Sequence, residues 1–126
     1  MIESIISMEL PAGGHLAVRR NRICPKQETK QCRRISLVSG IHGDELEGQY
    51  ICYETARRVK EHPEYLKGIV DIYPALNPLG IDMASRTVPR LDMDMNRMFP
   101  GDASGDMMER ITAAVVDSII GSDICM

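Results

Sequence analysis

An α/β layered fold with a largely parallel or mixed central sheet is what this sequence predicts, and three observations carry that prediction. A short, mostly apolar run from Ile35 to Val38 reads as a strand covered on both faces. Helical periodicity follows it from Glu45 to Glu61 and returns from Asp106 to Gly121. Further strand-like runs, Ile69 to Tyr73 and Asp123 to Met126, complete an alternation of strand, helix, strand, long loop, helix and strand.

The N-terminal segment stands apart from that alternation. Ile6, Met8 and Leu10 are apolar at period two, then Pro11-Ala12-Gly13-Gly14 supplies a turn, and Leu16 and Val18 resume the alternation up to Ile23. An antiparallel hairpin is expected there, with His15 a solvated residue at its mouth. Pro25 to Gln31 is polar and without period, hence a surface loop. We read residues 1–126 as one domain, with the hairpin and loop over 1–32 and the α/β core over 33–126.

The first helix places Leu46, Tyr50, Tyr53 and Ala56 on one face, widened by Ile51, Cys52 and Val59. Asp44 and Glu45 at its start and Arg57, Arg58 and Lys60 near its end suit the helix dipole, and Pro63 stops it. From Tyr73 two prolines, Asn77 and Gly80 halt regular structure, so a loop is expected to run to about Gly105. Loops this long in a compact domain are uncommon and often functional. Asp106 with Glu109 makes a capping box for the second helix, whose inner face is Met107, Met108, Ile111, Ala114, Val115 and Ile119.

Composition narrows the function classes. A net charge of -3 gives no polyanion-binding signature, so nucleic acid is not expected as a partner. The first ten residues lack the basic start and cleavage site of a signal peptide, and no stretch approaches the roughly 20 apolar residues of a membrane helix. A soluble cytoplasmic protein is the expectation, with Cys24, Cys32, Cys52 and Cys125 as reduced structural thiols. With one Phe, no Trp and nine Met, the core is expected to rest on aliphatic and thioether packing.

The chemistry concentrates between Ser39 and Gly48, where His42, Asp44, Glu45, Glu47 and three glycines follow the strand directly. Strand-to-helix junctions of this kind are where α/β proteins place ligand sites. His42 and Glu45, three apart at the opening of a helix, can reach one ion, and zinc is the metal we expect. Helix capping and surface charge are the alternative for so short a motif. A second polar cluster lies in the long loop, where Asp94, Asn96 and Arg97 bring an acid, an amide and a guanidinium together in a set suited to a substrate carboxylate.

Four segments in order, Gly40-Ile41-His42-Gly43-Asp44-Glu45, Asn77-Pro78-Leu79-Gly80, Arg86 with Pro89, and Asp94-Met95-Asn96-Arg97-Met98-Phe99-Pro100-Gly101, resemble the succinylglutamate desuccinylase and aspartoacylase group of the zinc carboxypeptidase-like superfamily. The resemblance covers Ile35 to the C-terminus and implies a three-layer fold with helices on both sides of the sheet. It implies that His42 and Glu45 are zinc ligands and that Asp94 accepts a hydrogen bond from the far nitrogen of His42. Asn96 and Arg97 would hold the substrate carboxylate. Arg86 would polarise the scissile carbonyl and stabilise the developing oxyanion, with Arg90 the alternative. Asp92 is the alternative to Asp94, and Met93, Met95 and Met98 are expected to pack the loop.

The implied activity is hydrolysis of an amide next to a carboxylate, in a small acidic N-acyl amino acid or at a peptide C-terminus. In the resembled family a third ligand, a histidine, follows the next strand, and a glutamate beyond it is the general base. Neither is present by Met126, and His62 sits a whole helix away from His42. The expectation is therefore a truncated N-terminal part, inactive alone, with exposed sheet edge and helix faces that favour self-association or a partner chain. A non-catalytic carboxylate-binding or interaction module is the alternative reading.

Overall fold

The computed structural model describes residues 1–27 and 32–126, so the last four residues of the expected 25–31 loop lie outside the described residues. Among the described residues five strands form one sheet: β1 (Ile2–Glu9), β2 (His15–Ile23), β3 (Arg34–Val38), β4 (Ile69–Tyr73) and β5 (Ile124–Cys125), in spatial order β1-β2-β4-β3-β5. Three helices join them, α1 (Glu47–Glu61), the short α2 (Pro78–Asp82) and α3 (Met107–Ile119).

The expected hairpin forms, with Glu9 opposite His15 and Ile2 opposite Asn21, its register shifting between Ser4 and Ile6. It does not stand apart. β2 runs on into antiparallel pairing with β4, Asn21 opposite Ile72 and Ile23 opposite Val70. β3 lies parallel to both β4 and β5. The sheet is mixed, antiparallel on the hairpin side and parallel around β3.

Strand alternation assigns the two faces of the sheet. Leu16, Val18 and Tyr73 point to the α3 side, where Met108, Ile111 and Val115 of that helix meet them together with Leu76, Val88 and Met95. Each such fully buried apolar side chain contributes about 1.5–3 kcal/mol relative to exposure. Aliphatic and thioether packing dominates, as composition requires, around the one buried aromatic ring described, Tyr73. The expected capping box fixes the start of α3: Asp106 Oδ1 accepts from the backbone of Met108 at 2.8 Å and Glu109 at 3.0 Å, and Glu109 Oε2 accepts from the backbone of Asp106 at 2.8 Å.

A buried ion network lies on the same side. Asp71 on β4 is fully buried, and Arg22 opposite it on β2 donates to both carboxylate oxygens at 2.8 and 2.6 Å. Arg20 and Arg34 stand at 3.6 and 3.8 Å. The hydrogen bond to Asp71 drives the Arg22 guanidinium well above its ordinary pKa.

Three expectations about local structure are corrected. Glu45 precedes α1, which begins at Glu47, so the His42–Glu45 segment is a turn ahead of the helix. The face of α1 read as inward is largely outward: Leu46, Tyr50, Ile51 and Tyr53 are 56–65% exposed, and Cys52 alone is buried. The helix meets the sheet through small residues instead, with Gly48 so close to Ser39 that a Cβ would collide with its hydroxyl. Finally, the expected long loop contains α2 and a 3₁₀ turn, Met95–Arg97.

Candidate metal and carboxylate site

The site sits where β3 and β4 end. Beyond Val38 the chain turns through Gly40, whose φ of +71° is disfavoured for residues with a side chain. It stays hydrogen-bonded to the segment leaving β4: Ser39 N donates to Tyr73 O at 2.9 Å, Leu76 N to Ser39 O at 3.2 Å, and Asn77 N to Gly40 O at 2.7 Å.

Asn77-Pro78-Leu79-Gly80 then acts as a bracket for the histidine turn. Asn77 is 2% exposed and caps α2, its Oδ1 accepting from Gly80 N at 2.9 Å. Gly43 packs directly on the Gly80 backbone, with no room for a Cβ, and donates to Ser85 O at 2.9 Å. Sequence reasoning placed Asn77 and Gly80 in a loop without a structural task. No sequence signal marks that task, because Gly43 and Gly80 are small residues whose need shows only when two backbones meet.

His42, 9% exposed, is held from both ring nitrogens. Nδ1 lies 2.9 Å from Glu45 Oε1 and Nε2 lies 3.1 Å from Asp94 Oδ1. Asp94 is placed by the 3₁₀ turn that it caps, accepting from Asn96 N at 3.0 Å, and that turn is anchored by the buried Met95. The hydrogen bond from His42, then that of the Asn96 backbone and the charges of His42 and Arg86, hold the Asp94 carboxyl below its ordinary pKa against a smaller effect of desolvation.

This arrangement has a chemical consequence. When Nε2–H donates to Asp94, a neutral ring presents the Nδ1 lone pair toward a carboxylate oxygen, and two acceptors at that separation need a proton or a metal ion between them. Donors on a tetrahedral ion with bonds of about 2.1 Å stand roughly 3.4 Å apart. At 2.9 Å the pair stands at hydrogen-bond distance, shorter than that, so the donor types suit a metal ion while their spacing is that of a shared proton. Among the described residues no three His, Cys, Asp or Glu side chains converge as a complete donor set.

Arg86 completes the cluster. Its Nη1 donates to Glu45 Oε1 at 3.1 Å and its Nη2 is 3.7 Å from Asp94 Oδ2. It remains half exposed, at 52%. Arg90 is exposed at φ +70° and reaches neither carboxylate, and Asp92 accepts from Thr87 Oγ1 at 3.3 Å rather than facing His42. Asn96 lines the same cleft of about 440 Å³ as Ser39, His42, Glu45 and Glu47. Arg97 follows on the 3₁₀ turn, exposed and outside that lining. Met93, Met95 and Met98 pack against the core, and His15 and His62 are exposed elsewhere.

Comparison with known proteins gives the family and the fold. The family model described as succinylglutamate desuccinylase/aspartoacylase catalytic domain matches residues 31–121. An N-alpha-acetyl-L-2,4-diaminobutyric acid deacetylase of Halomonas elongata is 36% identical over 75 residues, covering 60% of this chain and 21% of that protein. The solved succinylglutamate desuccinylase/aspartoacylase from Rhodobacter sphaeroides superposes with a TM-score of 0.74 at 31% identity, over 90% of this chain and 34% of the other. A metallo-carboxypeptidase from Burkholderia cenocepacia shares the fold, with a TM-score of 0.70 at 16% identity over 98% of this chain and 34% of the other. The chain therefore spans about a fifth of the curated relative's length and a third of each solved structure's.

Proposed function

The chain belongs to the succinylglutamate desuccinylase/aspartoacylase catalytic-domain family, a family of hydrolases, and on that premise we propose that it carries the metal-binding and carboxylate-binding part of a zinc-dependent amidohydrolase site. The observation that supports this most directly is the facing pair of His42 Nδ1 and Glu45 Oε1 at 2.9 Å, with Nε2 engaged by Asp94. His42 and Glu45 would hold the zinc, which when bound would supply Lewis acidity and a nucleophile at neutral pH. A catalytic zinc takes three protein ligands and keeps one position open, so in this reading a further donor comes from outside the described residues. Zinc on the two donors alone is weakly held.

The chain's own residues do the rest. Asp94 sets the tautomer and aim of His42. Arg86, half exposed, hydrogen-bonded to Glu45 and ion-paired with Asp94, swings to the scissile carbonyl and stabilises the charge that develops on its oxygen. Asn96, with Arg97 beside it, engages the carboxylate of an acidic N-acyl amino acid or of a peptide C-terminus. We place the protein in the cytoplasm. Among the described residues no helix is long and apolar enough to cross a membrane. A partner chain or second copy at the β5 edge belongs to the same proposal.

Zinc competition against a chromophoric chelator tests the metal assignment. His42→Ala and Glu45→Ala are each expected to abolish binding, and zinc uptake unchanged in His42→Ala would refute it. The incomplete donor set favours a second reading, a metal-free carboxylate-binding module. Calorimetry with an acidic N-acyl amino acid separates the two: that module binds regardless of chelator and loses binding in Arg97→Ala, whereas the zinc site binds more weakly once chelated.

A further inference from the structure

A second cleft, of about 500 Å³, runs between α1 and the β1–β2–β4 side of the sheet, away from the His42 cluster. Its helical wall is the stripe Gln49, Cys52, Tyr53, Ala56, Arg57 and Lys60, which recurs at i, i+3, i+4, i+7, i+8 and i+11. Its floor is a row across three strands, Ile2, Asn21 and Ile72, register partners whose side chains share the α1 face. The volume lies within the range of small-molecule sites.

Two features set this cleft apart from a packing gap. Asn21 Oδ1 and Gln49 Nε2 are buried atoms without a hydrogen-bond partner among the described residues, and both residues line this one cleft from opposite walls. A buried acceptor or donor left unsatisfied is costly, so such groups are normally paired. One wall therefore holds an unused acceptor and the other an unused donor, the complement of an amide, both covered until their side chains turn toward the cleft. The second feature is charge. Arg19 and Lys60 line the cleft without an ion-pair partner among the described residues, Arg57 is held by Glu54 and Glu61 of its own helix, and no carboxylate lines it.

We infer that this cleft binds a small molecule carrying a carboxamide and a negative charge on an apolar body. The amide N–H donates to Asn21 Oδ1 and its carbonyl accepts from Gln49 Nε2. Ile72, Ala56 and the Cys52 thiol face the apolar part, and the anionic group lies toward Arg19 and Lys60. Burial raises the Cys52 thiol pKa, which suits an apolar wall rather than a nucleophile. The site shares no residue with the His42 cleft, so it stands independently of the hydrolase reading.

The test is a proton–nitrogen NMR titration of the full chain with N-acetyl-L-valine, its neutral methylamide, and isovalerate, which lacks the amide. The Gln49 side-chain NH₂ signal is expected to move saturably with N-acetyl-L-valine, with a dissociation constant of ~1 mM or tighter. Isovalerate should bind about tenfold more weakly, as should N-acetyl-L-valine to Gln49→Leu. Lys60→Glu, on the exposed rim, should weaken the charged ligand and leave the methylamide unchanged. Movement confined to His42 and Asn96, no saturable shift at Gln49 up to about 20 mM, or equal affinity in wild type, Gln49→Leu and Lys60→Glu would each overturn the inference. In the last two cases ordered water alone satisfies Asn21 and Gln49.

Discussion

At the scale of single residues, the fate of one proton on His42 decides what the site can do. Asp94, its carboxyl held below the ordinary range, is an acceptor at any pH near neutrality, and in the proposed zinc site it would hold the proton on Nε2 and leave the Nδ1 lone pair for the metal. Asp94→Asn removes that bias, because an amide can donate to Nε2 and allow Nδ1–H to face Glu45 instead. Zinc affinity is then expected to fall about 10–100-fold with little change in thermal midpoint, measured by chelator competition and calorimetric melting. Wild-type affinity in this variant would leave Asp94 only as a cap of the turn that follows it. The acid and the imidazole were readable in the sequence because their chemistry is their own. The contact between Gly43 and Gly80 was not, since nothing in either glycine announces which backbone it must admit.

Elements were legible in proportion to how local their determinants are. The α3 capping box depends on residues three apart and could be read directly, and Asp106→Ala is expected to cost about 1 kcal/mol, seen as a lowered denaturation midpoint. Just before it, Asp102 accepts from the hydroxyl and backbone N–H of Ser104, both of which hold its pKa below the ordinary value. A depressed carboxyl contributes stability fully above its unfolded pKa and loses it as pH falls through the folded one. Asp102→Asn should flatten the acid limb of the melting curve, and an unchanged limb would exclude the contribution. The α1 reading failed for a reason of the same kind. Apolar period marks a face but not which neighbour it meets, and here small residues dock on the sheet while the tyrosines look outward.

For the whole molecule, strand alternation anticipated a layered α/β fold, but strand order is a matter of long-range pairing, and only the structure joins the hairpin to β4. The joint is polar as well as hydrogen-bonded, because Asp71 on β4 lies among Arg20 and Arg22 of β2 and Arg34 of β3. Asp71→Ala strands those guanidinium groups and should cost about 3–5 kcal/mol in denaturant unfolding, far more than replacing Asp71 and Arg22 together by apolar residues of similar size.

The opposite outer surface carries the last expectation. Tyr50, Ile51 and Tyr53 stand 60–65% exposed on α1, while Ile124 and Met126 on the β5 side are 49% and 70% exposed beside a two-residue edge strand. Apolar area of this kind beside a strand edge is where the proposed second chain would dock. Sedimentation of this chain is expected to show concentration-dependent association that Tyr50→Glu with Ile51→Lys diminishes and an Ile124→Pro edge block diminishes further. A monomer at every concentration tested would exclude a second copy as the occupant, whereas association untouched by either change would move the interface to another face.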